Sequence, residues 1–561
     1  MDMPLSLLNR LRRAGGFSPR VLFALNEPGV WYDPSDLTTM FQDRAGTTPV
    51  TAPGQTVGLV LDKSRGLVLG SELVTVPMPF VIFRDVSTAT GLDLVASPVA
   101  GRAYKVRIVV SSNTGTVSSS FRNVSNAPLG IAAGFTGVRE VILVATGAGN
   151  VTLSPDAPGV NMTISEASAR EVPGAHLVAN ADAARGLYGI EPLGGRRNLL
   201  VSSRDPFASS VMFSKAGAGI NAPTGDQYVR ITELSTTGSG KRFFTQNLAT
   251  VAGDMAFSFY AKENVGARWV RFRENTTTGF AFAFQPSTGT VEQFAGGASA
   301  SNVLVETVAA GVYRVSCILT FASAATRNIS MDITVTSTSS SIYEGDNVSG
   351  FDVTSVQLEA AAAASAYQKV VTALEVTEAG KPSLPYILFD GADDGYVTPT
   401  ITPGTDKVQV FAGVRKLSDA AHAVVVDLGA PAATGFFTLQ APSVTTTNKY
   451  LYTQTGSAAV ALPFVTGAQY NAPQTAIITG YGDISADANI TRINGAQVAS
   501  SVADQGTGNF SAAPLFVGRR NAASLPFNGR LYQLVVRFGP NLDTSRIEQV
   551  ERYVNGKTGA Y

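Results

Sequence analysis

Reactive and ionisable side chains are scarce in this chain of 561 residues, which has one cysteine, two histidines and two tryptophans, with Asp, Glu, Lys and Arg together only 15%. The single Cys317 excludes an intramolecular disulfide framework. Its place in the strand-like run 313–320 reads as a buried thiol. Two histidines, His176 and His422, leave little material for a Ser-His-Asp site, and neither lies near a Gly-x-Ser-x-Gly turn. Lys+Arg and Asp+Glu balance at 42 each, which removes the long-range field that draws a protein to nucleic acid or an anionic membrane. No window approaches the roughly 18 apolar residues that span a bilayer. Neither a nucleic-acid partner nor membrane insertion is expected. Residues 1–13 place their charges after a short apolar patch, the reverse of a secretory signal, so synthesis in a cytoplasm is the expectation.

What the chain does have is glycine, 55 residues of it, with abundant Ser, Thr and Ala and 45% hydrophobic residues. That is the composition of turn-rich β-structure, and the length exceeds a single ordinary core. The expected fold is all-β: an N-terminal arm, three β-sandwiches and one short C-terminal helix. Residues 1–79 read as the arm. Leu5, Leu8 and Leu11 suit a short amphipathic turn, and Pro19, Pro28, Pro34, Pro49 and Pro53 keep the rest of the arm extended. So little apolar surface predicts a segment that orders on a partner, with Leu5, Leu8, Leu11, Trp31, Tyr32 and Phe41 as docking residues. Residues 80–179 alternate in short runs and predict a small β-sandwich. A linker over 180–196 leads to a larger jelly roll over 197–370, whose runs 228–232, 255–261, 269–273, 312–319 and 329–335 alternate with period two. The last domain, 371–561, ends in a helix over 542–554 with Asp543 or Thr544 as N-cap, a stripe of Ile547, Val550, Val554 and Tyr553, and Asn555-Gly556 as its stop.

Three stretches carry resemblances. The run Phe389-Asp390-Gly391-Ala392-Asp393-Asp394, with Val517-Gly518-Arg519 and Phe527-Asn528-Gly529-Arg530 downstream, resembles the opening strand and closing hairpin of laminin-G-like and concanavalin A-like sandwiches. Asn198-Leu199-Leu200, Tyr313-Arg314-Val315-Ser316, and Val356-Gln357-Leu358-Glu359 with Ser365-Ala366-Tyr367 together resemble carbohydrate-binding-module-like jelly rolls of phage particles. Residues 29–50 and 57–63 resemble a segment of tailed-bacteriophage structural proteins. These likenesses imply a virion location, other virion proteins as partners, a homo-oligomer with a trimer favoured, and host cell-surface polysaccharide as the ligand. The expected role is a non-enzymatic tail fibre, spike or receptor-binding appendage. The alternatives are a capsid fibre or decoration protein of purely structural role, and a particle-borne polysaccharide hydrolase.

The hydrolase alternative needs two facing carboxylates. Concanavalin A-like glucanases use glutamates of one strand, and no glutamate occurs between Glu378 and Glu548. No catalytic residue is assigned. For sugar stacking, Tyr396, Tyr450, Tyr452, Tyr470 and Tyr481 are the candidate aromatics. Asp390, Asp393 and Asp394 form the densest acidic cluster, read either as a structural Ca²⁺ site or as a polar turn set by Gly391 and Gly395. No other cofactor is expected.

Overall fold

A computed structural model describes residues 17–126, 130–207, 212–237, 240–274, 281–294, 300–429, 434–443, 448–457 and 470–561. Leu5, Leu8 and Leu11 lie outside the described residues. The fold is all-β as composition predicts, with a single α-helix among the described residues. The chain forms two compact units, residues 1–189 with 384–561, and residues 190–383.

The first unit contains two sandwiches. In the smaller, a sheet ordered Ala89–Thr90, Phe80–Arg84, Val160–Val172, Ala103–Asn113 and Gly137–Val144 faces a three-stranded sheet of Leu92–Val95, Val151–Pro155 and Ser119–Arg122. Alternation drives it: Tyr104, Val106, Ile108 and Val110 point into one core with Ile82, Leu92, Leu94, Met162 and Ile164, while Lys105 and Arg107 meet solvent.

The larger sandwich carries the two halves of the C-terminal signature. Ser383–Asp390 pairs with Asn528–Phe538, which places Phe389 opposite Gly529 and Asp390 opposite Asn528. Lys407–Lys416, Gln474–Asp483, Ala488–Ile493 and Ala496–Ser501 continue that sheet. Phe389 packs against Phe527 at 5.9 Å between ring centres. Gly518 lies so close that a Cβ would sit 2.1 Å from the Phe389 ring, and its φ is +81°, so glycine is needed there on both counts.

The opposing sheet corrects the expectation of a separate arm. Its order is Met40–Phe41, Leu59–Val60, Leu177–Ala179, Tyr396–Val397, Leu515–Val517, Val424–Leu428, Phe437–Gln440 and Leu451–Gln454. Residues far upstream therefore complete a sheet whose other strands come from the end of the chain. Gly29–Tyr32 does the same for the first sheet, pairing with Asn528–Phe538 so that Trp31 faces Val535. Trp31 and Tyr32 are buried and Phe41 is half-buried, so the aromatics expected to dock on a partner are used inside the chain's own fold. The segment is poor in apolar surface because the sheets it joins supply the rest. The expected linker over 180–196 is likewise structured in part, with a strand at Leu187–Pro192. The chain returns to this unit at Leu384, later than the expected boundary at 371.

The helix spans Thr544–Thr558, capped by the Asp543 carboxylate, which accepts from the Arg546 N–H at 2.7 Å. It runs past Asn555-Gly556 and ends at Gly559 in the left-handed conformation. Ile547, Val550 and Val554 bury against Phe411, Ile477 and Val535 on the outer face of the sheet, with Trp31, Leu22 and Phe23 beside them.

The second unit is a jelly roll. Six strands, ordered Phe213–Asn221, Gln227–Glu233, Gly350–Glu359, Gly253–Val265, Val312–Phe321 and Ala300–Ala309, face five, ordered Arg242–Thr250, Ala325–Thr334, Trp269–Glu274, Phe282–Gln285 and Thr290–Gln293. The core is unusually aromatic, with Phe243, Phe244, Phe257, Phe259, Phe272, Phe282, Phe284 and Phe351 in one cluster with Cys317. The thiol is fully buried and its pKa is raised by burial, as its sequence context predicts.

Trp31→Ala removes a buried side chain from the layer beneath the helix and should destabilise the first unit by ~3–5 kcal/mol, read as a shift in the denaturant midpoint. A loss under ~1 kcal/mol would mean that this strand is a dispensable appendage.

Candidate functional site

On Gly253–Val265, Met255, Phe257 and Phe259 turn into the jelly-roll core, so Ser258 and Tyr260 stand on the outer face. On Val312–Phe321, Val315, Cys317 and Leu319 point inward and Arg314 points out. The registers set Glu306 opposite Arg314, Arg314 opposite Tyr260, and Tyr260 opposite Thr354. One row of polar side chains thus crosses four strands. The Arg314 guanidinium lies 5.8 Å from the centre of the Tyr260 ring and donates to the Ser258 hydroxyl at 3.4 Å and to the Ser365 carbonyl.

A second wall comes from the returning segment 366–379. Tyr367 donates its hydroxyl to Asp226 Oδ2 at 2.8 Å and shares a 2.7 Å contact with the Ser203 hydroxyl. Lys369 Nζ lies 2.6 Å from Asp226 Oδ1. Asp226 is buried, so it serves as the fixed post on which both residues hang. Glu378 is held by Arg197 at 2.6 Å. Between these walls is an open cleft of about 530 Å³, lined by Tyr260, Glu306, Arg314, Tyr367, Lys369 and Glu378, with Pro223, Val308 and Ala366 as its apolar floor. Burial raises the pKa of both tyrosines. Their hydroxyls stay neutral, and that of Tyr367 is already used on Asp226 and Ser203.

This arrangement suits a polyhydroxylated ligand. Each sugar hydroxyl both donates and accepts, and here an acceptor (Glu306) and donors (Arg314, Lys369) line one cleft beside apolar carbon surface. It suits a polyanion less well, because Lys369 is neutralised by Asp226 and the exposed Glu306 lines the opening.

The aromatics chosen from sequence lie elsewhere. Tyr396, Tyr450 and Tyr452 are at most 1% exposed, which removes them as stacking platforms; Tyr260 and Tyr367 in the cleft, at 8% and 9% exposed, are themselves largely buried. Tyr396 bonds the Val57 carbonyl at 2.7 Å, and Tyr452 bonds Gln454 at 2.7 Å. Tyr470 is half-buried against Tyr450, ring centres 5.2 Å apart, and half-buried Tyr481 packs on the cluster under the helix. They look exposed in sequence because polar residues surround them, yet the fold covers Tyr396, Tyr450 and Tyr452 and half-covers Tyr470 and Tyr481. The cleft residues were within reach of the same alternation argument: Tyr260 follows Phe257 and Phe259 out of phase. Tyr367 was beyond it, since only the fold returns 366–379 to the sheet.

The two histidines are structural groups. His176 Nδ1 accepts from the Asp62 N–H at 2.9 Å and its Nε2 lies 3.0 Å from the Val172 carbonyl. Burial lowers its pKa to about 4. A neutral ring with its Nε2 proton satisfies both contacts. His422 is half-buried and is likewise driven toward its neutral form by burial.

Asp390, Asp393 and Asp394 do converge, with one carboxylate oxygen from each within 4.8 Å of the others. Asp390 Oδ1 already accepts from the Ala392 N–H at 2.7 Å, and Asp394 Oδ2 accepts from the Asp390 N–H at 2.9 Å. Burial first, then the charges of Asp390 and Asp393, push the Asp394 carboxyl up to about 6. The cluster fits a hard cation in charge and spacing but supplies well under the roughly 6–8 oxygens of a full Ca²⁺ shell.

No protein-family profile matches the chain, and no curated protein does. Two solved structures overlay loosely. One is the N-terminal CBM22-1-CBM22-2 tandem domain of Paenibacillus barcinonensis Xyn10C, at 10% identity and a TM-score of 0.21 over 56% of this chain and 99% of that one. The other is a Trypanosoma rangeli sialidase in complex with the inhibitor DANA, at 10% identity and a TM-score of 0.23 over 58% of this chain and 66% of that one. Agreement this loose leaves the site to its own geometry.

Calcium should bind the acidic turn only in the millimolar range, since water fills most of the shell. A titration followed by melting temperature should show a small saturable rise that Asp394→Asn abolishes. An unchanged melting temperature at about 10-fold higher calcium than that would leave 390–395 as a polar turn.

Proposed function

We propose that this chain is a surface protein of a tailed-phage particle that binds host glycan through the jelly-roll cleft and does not hydrolyse it. The observation that carries the binding reading is the cleft itself: Arg314 within 5.8 Å of the Tyr260 ring centre, with Tyr367 and Lys369 fixed by one buried carboxylate. The particle setting rests on the likeness of residues 29–50 to phage structural proteins. A symmetric homo-oligomer, a trimer first, belongs to the same reading.

The reading of binding without hydrolysis is supported by how Glu378 is used. Glu378 is committed to Arg197 at 2.6 Å and to Gln368 Nε2 at 3.3 Å. A general acid must instead be free to deliver a proton to the leaving oxygen.

The test is binding of the full chain to immobilised polysaccharides from host bacteria. Tyr260→Ala and Arg314→Ala should each weaken binding about 10-fold or more, about 1.4 kcal/mol, with the melting temperature of each variant showing that it folds. Binding that survives both alanine variants would move the site elsewhere. Release of new reducing ends by the wild-type chain would replace this reading with the hydrolase, and no binding to any host polysaccharide would favour a structural spacer.

A further inference from the structure

Strand Val424–Leu428 of the larger sandwich in the first unit carries a carboxyl group that its surroundings do not hold firmly. Asp427 is 1% exposed, and neither of its oxygens has a well-formed hydrogen bond. Thr438, opposite it on the neighbouring strand, also leaves its hydroxyl unpartnered. The nearest opposite charge is Arg520, whose Nε stands 3.6 Å from Asp427 Oδ2 and likewise lacks a hydrogen bond. That is ion-pair range without a hydrogen bond. Burial dominates and pushes the carboxyl up to about 8, against the pull of the Arg520 charge and the nearby Asn521 N–H. At neutral pH the group is mostly protonated.

Arg520 belongs to the loop 518–525, which is pinned to this same strand at its two ends: the Gly518 N–H donates to Val425 O at 2.8 Å, and Leu525 O accepts from the Val424 N–H at 3.0 Å. Between and at the pins, three non-glycine residues hold left-handed conformations, Asn521 at φ 47°, Ala522 at 56° and Leu525 at 51°. Such residues are strained unless neighbours hold them in place. Here the loop is held by short backbone bonds within 520–524 and by Arg519, which donates to Asp393 O at 3.4 Å and Ala523 O at 2.9 Å.

The other charged groups around Asp427 are accounted for. His422 lies near Gln440 and Arg520 and is driven toward its neutral form by burial first. Lys416 pairs with Asp419, and the acidic turn 390–394 lies on the Arg519 side of the loop. Residues 430–433, 444–447 and 458–469 contain no ionisable side chain.

We propose that Asp427 and Arg520 form a proton-operated latch on the 518–525 loop: while the carboxyl keeps its proton the guanidinium is only loosely held, and loss of the proton draws it into a hydrogen-bonded ion pair that fixes the loop. A buried carboxylate must gain either Arg520 or water when it ionises. Arg520 Nε is already at 3.6 Å, and closing that gap takes a small movement of one side chain.

A spin label on Ala523→Cys in the full chain reads the loop directly, because the native Cys317 is buried and unreactive. Label mobility should fall as pH rises, with a midpoint near 8, and should stay flat and high in the Asp427→Asn and Arg520→Gln backgrounds. Melting temperature gives an independent reading. The folded carboxyl titrates at about 8 and the unfolded one at about 4, so the stability from burying the protonated group is fully present below about pH 4 and lost as pH rises through about 8. Asp427→Asn should therefore lose that decline between about pH 4 and pH 8. Mobility that rises with pH would mean water enters instead of Arg520, and a titration that persists in Asp427→Asn would assign it to another group. Either result overturns the latch.

Discussion

The first unit depends on one buried carboxylate. Asp62 accepts four hydrogen bonds, from the Trp31 and Ser64 N–H groups on Oδ1 and from the Ser64 hydroxyl and the Ala175 N–H on Oδ2, all at 2.8–2.9 Å. Its own N–H is held by His176. Three stretches of chain, 29–32, 59–64 and 172–177, meet at this group. Beside it, the Lys63 N–H donates to Trp31 O at 2.9 Å and Lys63 Nζ lies 3.0 Å from Asp33 Oδ2, so the strand that pairs with Asn528–Phe538 and the strands that extend the opposite sheet are tied at adjacent points. Four donors offset much of the cost of burial, which still raises the carboxyl to about 6. Arg537 does the complementary work from the far end of the chain: nearly buried, it donates to Leu22 O at 2.8 Å, Gln409 Oε1 at 2.8 Å and Pro540 O at 2.7 Å, and meets Glu27 at 3.0 Å.

These contacts explain why the sandwich closes on itself. A sheet edge left open is a template for pairing with another chain. Here Gly29–Tyr32 occupies the edge of Asn528–Phe538 beyond the reach of Ser383–Asp390. The glycine at its head has Val536 O so near that a Cβ would sit 2.1 Å from it. Polar side chains buried by the same closure are either pinned, as Asp62 is, or left in reserve, as Asp427 is. The jelly roll shows a third use, with Asp226 holding a tyrosine and a lysine at the rim of an open cleft.

Much of the fold was legible because β-structure writes itself with period two. The alternation of 104–110, 255–261 and 312–319 names both the strands and their inward faces, and the buried Cys317 and the Asp543 cap followed from local rules alone. The helix runs beyond Asn555-Gly556 because its last turn packs on the sheet and Gly559 supplies the left-handed cap. The arm was misread for a related reason: apolar content within 17–63 is too low for a domain, and nothing local reveals that distant strands provide its other half. The candidate site was legible in part, since Tyr313-Arg314 and Ala366-Tyr367 were visible as motifs while their meeting at one cleft was not.

The sequence by itself determined the class of structure: all-β, charge-balanced, without a disulfide, with strand faces chosen by alternation and turns by glycine. Those properties depend on neighbours within a few residues. Only the tertiary structure decided which tyrosines are buried, that the N-terminal strands belong to the C-terminal sandwich, and that Arg314, Tyr260, Tyr367 and Lys369 share one cleft. Burial and strand pairing are set by residues far apart in the chain, and a single sequence carries no local mark of them.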